Sequence, residues 1–285
     1  MTAGAANLRG ALLVVASMAG FCINDAFIKS LSVAVPIGQL IAVRGVFAVA
    51  LLLALLPRLG LRIGRPERFT WLRAAGEVAV TFAFLAALAR LPIGDTYTLY
   101  FAGPLLLTAG AALLLGEQVG PRRWAAVAVG FLGVLVVLGL PREWQAASLI
   151  VLAAALLSVA RDLVTRWIPA SVGSGTVAAV TGVCVTLSGW VTAASGDWVP
   201  LGWSDLGLCA LAALGVAAGY TSFVIALRMG ELSFIATFRY AGIPMAMLLG
   251  LLVWGDVPGP RMLAGAALIM GAGLYIVWRE RKRVA

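Results

Sequence analysis

The chain contains no histidine. That absence removes Ser-His-Asp triads, His-Glu-x-x-His zinc sites and imidazole proton relays together. Lysine is nearly missing as well, with Lys29 and Lys282 alone. Neither stands in a G-x-x-x-x-G-K-S/T phosphate loop, so an ATP-driven pump on this single chain is excluded. Cysteine is sparse: Cys22, Cys184 and Cys209 lie far apart inside apolar stretches, without C-x-x-C spacing, and read as small core residues. Acidic residues are few, and aspartyl chemistry needs two juxtaposed carboxylates, whereas Asp25 and Asp162 read at opposite depths. No catalytic residue, metal ligand set or cofactor is therefore expected.

What the chain has in excess is apolar sequence. It is 62% hydrophobic and 12% charged, more apolar surface than a soluble domain can hide. Runs of about 20 apolar residues are long enough to cross a ~30 Å hydrocarbon core. Ten spans are expected, at 8–30, 37–57, 70–90, 95–115, 122–140, 147–168, 174–195, 203–226, 232–254 and 261–279, separated by turn chemistry such as Pro36, Pro92-Ile93-Gly94, Gly120-Pro121 and Pro258-Gly259-Pro260. The first span has no A-x-A cleavage site after it and reads as retained, not as a signal peptide. The net charge of +9 sits in short loops and the tail, as topology requires, and does not point to nucleic acid.

Laid over itself at an offset of about 138–140 residues, the sequence matches. Arg90 pairs with Arg228, Pro104 with Pro244, Glu117 with Asp256, and Gly120-Pro121-Arg122 with Gly259-Pro260-Arg261. Two units follow, 1–141 and 142–285, each of five spans. Arg9, Arg58, Arg62, Arg65, Arg68, Arg73, Arg122, Arg123, Arg166, Arg228 and the basic tail fall on one side, so both termini are expected in the cytoplasm of a bacterial-type inner membrane. An odd span count inverts the second copy. Inverted repeats supply two related conformations, each open to one side, which is the basis of alternating access in secondary transporters.

Repeats ending in L-L-L-G-E-Q-V-G-P and L-V-W-G-D-V-P-G-P, an opening I-N-D-A-F-I-K-S-L and the A-V-R-G around Arg44 resemble the drug/metabolite transporter superfamily, EamA type. The resemblance covers nearly the whole chain. It implies an all-α membrane protein of ten transmembrane helices in two inverted five-helix repeats. Within the superfamily the chain resembles the aromatic amino-acid exporters, which implies a central cavity lined by spans 1, 3, 4, 6, 8 and 9. The expected activity is export of small amphipathic metabolites, best large neutral or aromatic amino acids. The alternatives are a transporter of another metabolite or drug class and a membrane assembly protein that transports nothing. The partners are a small-molecule substrate and the lipid bilayer, with the chain a monomer or homodimer.

Ionisable groups in hydrocarbon are costly, so each is a candidate. Asp25 lies roughly 25 Å from the start of span 1 and Arg44 at a similar level, depths that allow an ion pair between spans 1 and 2. Lys29, one turn from Asp25, competes for that carboxylate or snorkels to headgroups. In the second copy Asp162 and Arg166 take the places of Asp25 and Lys29, while Thr181 stands where Arg44 would be. Arg239 is the same-depth partner for Asp162, and Glu77 reaches a similar level. These groups either staple helices or gate transport, and Glu77, mid-helix, is the best single candidate for proton coupling. Asp95, after Pro92, reads as a helix cap, with Ser233 doing the same for span 9. Glu117 and Asp256 read as turn residues. Asn24 and Asp25, with the aromatic residues Phe82, Tyr97, Tyr100, Tyr220, Phe223 and Tyr240, are the candidate substrate pathway. Phe84, Phe101 and Phe238 lie beside them. Tyr97 is either an interface-belt or a pathway residue; Tyr220 and Tyr240 are too deep for the belt and need an internal partner or a wet cavity.

Overall fold

The fold follows from where the apolar runs are interrupted. In a computed structural model that describes residues 3–58, 60–114, 120–140, 144–165, 167–196, 198–226 and 238–284, all regular structure among the described residues is helical. The helices are α1 (Ala3–Leu31), α2 (Ile37–Leu55), α3 (Arg68–Leu88), α4 (Ile93–Tyr100), α5 (Gly103–Leu114), α6 (Pro121–Leu138), α7 (Ala146–Thr165), α8 (Ser174–Ala194), α9 (Trp203–Ala226), α10 (Gly242–Leu249) and α11 (Pro260–Val284). Prolines mark the starts. Pro36 and Pro92 sit at the caps of α2 and α4, and Pro121 and Pro260 open α6 and α11, where a missing N–H costs nothing.

Among the described residues eight helices are long and apolar enough to cross a membrane, namely all but α4, α5 and α10. The other two expected spans are broken. Span 4 divides at Phe101–Ala102 into α4 and α5, and span 9 passes from a 3-10 turn, Phe238–Ala241, into α10 and then a π turn, Gly250–Trp254. Each break has the same cause. Pro104 and Pro244 lack an N–H, and their rings crowd the carbonyls four residues earlier, on Tyr100 and Tyr240. The beginning expected for span 9 at 232–237 lies outside the described residues. At the other end of that span Gly255 adopts φ +72, a left-handed cap that glycine enters without steric cost, and Asp256 N–H returns to the Gly250 carbonyl at 3.1 Å. Asp256 thus has the expected turn role; Glu117 and Ser233 lie outside the described residues.

The main packing crosses from one half of the chain to the other. α1 packs on α9 and α3 on α7; α2 packs on α8, α4 on α10 and α6 on α11. Shifting a helix by the repeat offset exchanges α1–α9 with α7–α3 and returns α2–α8 and α6–α11 to themselves; α10 falls on α5, so the α4–α10 contact repeats only at the level of spans 4 and 9. Two end contacts obey the same exchange. Gln39, third in α2, holds Val199 through its side-chain amide (Nε2 to O 2.6 Å, N to Oε1 3.0 Å), just before α9. Thr176, third in α8, accepts the Gly64 N–H at 2.8 Å, just before α3. Backbones touch where glycines face each other: a Cβ on Gly20 would come within 2.7 Å of the Gly215 carbonyl, and one on Gly133 within 2.8 Å of the Gly265 carbonyl. Small residues of this kind hold helices together where lipid gives no hydrophobic drive.

Candidate functional site

Short connections make successive spans run in opposite directions, so the ends of α1, α3 and α9 alternate with their neighbours. Call the end where α1 begins the near end, and the other the far end. Each carries a polar cluster.

The far cluster is built on α1, α2 and α4. Asp25 is only 8% exposed. Its carboxylate accepts the Tyr97 hydroxyl at 2.6 Å and the Asn24 amide at 2.7 Å. Arg44 does not reach it directly. Its Nη1 donates to Asn24 Oδ1 at 3.0 Å, so the ion pair expected between Asp25 and Arg44 is relayed through one neutral amide. Depth alone placed the two charges at one level but could not see that Asn24, one residue earlier on the helix, fills the gap. Arg44 Nε is buried without a hydrogen-bond partner among the described residues.

Lys29 neither competes for Asp25 nor snorkels to headgroups. Its ammonium donates to the carbonyls of Leu88 (2.8 Å), the last residue of α3, and Leu91, three residues beyond it, and lies 5.6 Å from the Trp254 ring centre. The last carbonyls of a helix have no intrahelical donor, and a lysine can fill that need. Asp95 is not the cap of α4. Pro92 holds that position, and Asp95 lies in the first turn, where it still complements the helix dipole. Around Asp95, Asp256, Met247 and Arg261 a cavity of about 460 Å³ opens at the far end, away from the aromatic residues.

The near cluster joins α3, α7 and α8, and its centre is a residue the sequence reading missed. Arg161 donates from Nη1 to Glu77 Oε2 at 2.8 Å and from Nε and Nη2 to Asp162 Oδ1 at 3.0 and 2.8 Å. Arg73 lies 3.6 Å from the same Glu77 carboxylate and donates to Thr181 Oγ1 at 2.8 Å. A guanidinium therefore does reach the position opposite Arg44, but it comes from α3. Arg239 is not the partner of Asp162 or Glu77; its guanidinium sits 5.4 Å from the Phe223 ring. Equal depth proved too weak a criterion, because Arg161 is nearer than any residue on another span. One signal was available: at an offset of 137, Arg161 falls on Asn24, so both aspartates are preceded by a residue that hydrogen-bonds to them. Arg166 and Arg228 lie outside the described residues.

Between the clusters runs a row of rings. Phe84 meets Tyr100 edge-on at 4.9 Å and Tyr97 at 6.0 Å; Tyr97 stacks on Phe101 at 6.0 Å; Phe101 meets Tyr240 at 5.8 Å. The row crosses from α3 through the break in span 4 to the break in span 9, and so from one half of the chain to the other. Tyr97 is buried, which settles it as an interior residue and not a belt residue. Tyr240 is buried too, but its hydroxyl finds no partner among the described residues, and its ring occupies the space a side chain at Gly273 would need. It packs; it does not line a wet cavity. Phe82, Tyr100, Tyr220 and Phe223 are half-buried, and Tyr220 lies within electrostatic reach of Arg73 and Glu77. Trp71, Trp124, Trp144, Trp167, Trp198, Trp203 and Trp278 are exposed, as a belt requires.

Helical structure throughout the described residues, with eight long apolar helices, two broken spans and a polar cluster at each end, defines a multi-pass membrane protein of the transporter class. The model of the EamA-like transporter family matches residues 8–139. The chain is 32% identical over 245 residues to a riboflavin transporter of Rhizobium johnstonii, covering 83% of this chain and 80% of that one. A riboflavin transporter of Vibrio cholerae serotype O1 is 28% identical, covering 97% and 95%. A pseudopaline exporter of Pseudomonas aeruginosa is 24% identical, covering 92% and 94%. One solved crystal structure shares the fold with a TM-score of 0.69 at 21% identity, covering 99% of this chain and 100% of the other. The chain belongs to the EamA-like transporter family. It is a transporter and not an enzyme. These relatives carry other cargo than the aromatic amino acids suggested by the sequence resemblance.

Proposed function

We propose that the protein moves riboflavin, or a similarly flat and amphipathic heterocycle, across a bacterial-type inner membrane, with both termini in the cytoplasm. The observation that carries this reading is the likeness to riboflavin transporters over most of both chains, joined to the aromatic row at the centre of the fold. A tricyclic isoalloxazine ring offers two flat faces, and stacking on Phe84, Tyr97 and Tyr100 matches that shape. Its polyol tail and ring carbonyls need donors and acceptors, which Glu77, Arg161, Tyr100 and Tyr220 supply on the near side. Of the guanidiniums near the rings, Arg73 and Arg161 are engaged by Glu77 and Asp162, which argues against phosphorylated cargo, for which free guanidinium forks would be wanted.

Residues 1–141 and 142–285 act in this reading as two inverted copies, and the cross-half pairing of α1–α9 with α3–α7 supports that. Alternating access then exchanges the open end for the closed one. Large neutral and aromatic amino acids are the second reading, favoured by the same aromatic walls. Proteoliposomes separate the two. The expected result is saturable uptake of labelled riboflavin that excess phenylalanine, tryptophan or methionine does not compete away, and its loss in Tyr100→Ala protein that still folds. Uptake of those amino acids with no riboflavin uptake would sink the flavin assignment and favour the second reading.

A further inference from the structure

Asp25 is the most buried carboxylate among the described residues, and its direct partners are neutral. The groups around it come from every helix that packs near. α4 brings the Tyr97 hydroxyl at 2.6 Å. α1 itself brings Asn24 at 2.7 Å and Cys22, whose thiol points to the Gly242 carbonyl of α10 at 3.6 Å. α2 brings Arg44, held one amide away, and Cys209 of α9 faces Arg44 electrostatically. Lys29, the next cation along α1, is committed to the carbonyls at the end of α3. No cation forms an ion pair with Asp25 among the described residues.

Tyr97 is not an ordinary partner. It lies four residues before Phe101, where span 4 breaks, and its own carbonyl accepts the Phe101 N–H at 2.9 Å as the last bond of α4. Its ring is the link between Phe84 and Phe101. The Asp25–Tyr97 bond therefore ties the short helix α4 to α1 at the far end, within the aromatic row.

We propose that Asp25 is a proton-binding site, and that loading it with a proton releases Tyr97 and lets α4 move away from α1, opening the far end. The proton adds to a carboxylate oxygen and nothing else changes covalently. With the carboxylate ionised, the phenol donates to a charged acceptor, among the stronger hydrogen bonds available. Once a proton sits there, that acceptor is neutral, Asn24 and Arg44 lose the charge they were aligned toward, and the tie weakens. The polarity is fixed by this geometry: the far end is held at neutral pH and released by acid. The proposal rests on the transporter class and not on the riboflavin reading.

Hydrogen exchange of the backbone at 94–102, followed by mass spectrometry on the full chain in lipid nanodiscs without cargo, tests it. The ratio of wild-type to Asp25→Asn exchange at each pH cancels the intrinsic chemistry of exchange. At neutral pH the segment is expected to exchange about tenfold or more slowly in the wild type, as a charge-assisted bond requires. The ratio should approach one on acidification. Tyr97→Phe protein should exchange like Asp25→Asn, and provides the same comparison if the asparagine variant does not fold. Asp162→Asn should keep the wild-type profile in this segment. A wild-type ratio that does not change with pH, or a Tyr97→Phe profile that matches the wild type, overturns the proposal. Because no cargo is present, failure of the flavin reading leaves this result intact.

Discussion

The two ends of the bundle hold an aspartate at corresponding positions of the chain, Asp25 and Asp162, and surround it differently. At the far end one guanidinium, Arg44, serves Asp25 through Asn24, and a tyrosine completes the shell. At the near end Arg161 replaces the asparagine, touches Asp162 directly and reaches on to Glu77, where Arg73 adds a second positive charge. The exposures differ in the same sense. Asp25 is 8% exposed, whereas the side chains of Glu77 and Asp162 are 24% and 38% exposed. The far cluster is dry and relies on neutral hydrogen bonds to hold a lone carboxylate. The near cluster is partly wet and relies on ion pairs. Removing charge from a dry site and from a wet one has different consequences, and the comparison can be broken on that point.

The largest effect is expected from Arg161→Met. It leaves Asp162 without its ion-pair partner and Glu77 with Arg73 alone, at 3.6 Å. A partly buried charge left behind costs about 2–3 kcal/mol after allowance for its exposure. Thermal unfolding in detergent should show the loss, and adding Glu77→Gln with Asp162→Asn should recover most of it. If the triple variant is no more stable than the single one, the near cluster is not an ion-pair network.

Next comes a matched pair, Asp25→Asn against Asp162→Asn. The first changes a charged acceptor for Tyr97 to a neutral one and leaves Arg44 uncompensated, at a cost of about 2 kcal/mol. The second alters a half-exposed group while Arg161 keeps Glu77, and should cost below about 1 kcal/mol. Equal losses would mean that the two ends are equally wet, and the contrast drawn from burial would fall.

Much of this architecture was legible in the sequence, because hydropathy and turn prolines are local signals: α1, α2, α3, α6, α7, α8, α9 and α11 lie close to the expected spans. The breaks in spans 4 and 9 were not read, although Tyr100 with Pro104 and Tyr240 with Pro244 repeat one four-residue spacing. The surrounding residues are as apolar as any other span, so composition hides the break. Asp25, Arg44 and Glu77 were picked out by charge and depth, and Tyr97 as one of a set of aromatic residues. Their partners were missed because a helix periodicity gives level and face, while partnership depends on a few ångströms of side-chain reach. Asn24 was chosen for the pathway and turned out to be the relay; Arg161 was passed over for Arg239, whose charge is taken up by the Phe223 ring.

The smallest effect, and the sharpest test of the contrast, is Arg73→Gln. Arg73 is 19% exposed, its contact with Glu77 is long at 3.6 Å, and Glu77 keeps a 2.8 Å partner in Arg161 when Arg73 is gone. An i, i+4 pair of this kind contributes about 0.3–0.5 kcal/mol. Glutamine can still donate toward Thr181, so the change in unfolding temperature should be close to the error of measurement. Arg44→Gln makes the opposite case, since no second cation stands behind it at Asp25. Its loss should exceed that of Arg73→Gln several-fold, even though Arg44 makes no direct ion pair. The reason is desolvation: a charge in a dry site depends on each neighbour it has, while a charge in a wet one shares its neighbours with water. If Arg73→Gln costs as much as Arg44→Gln, the near cluster is a single cooperative unit, and its second guanidinium is not a spare.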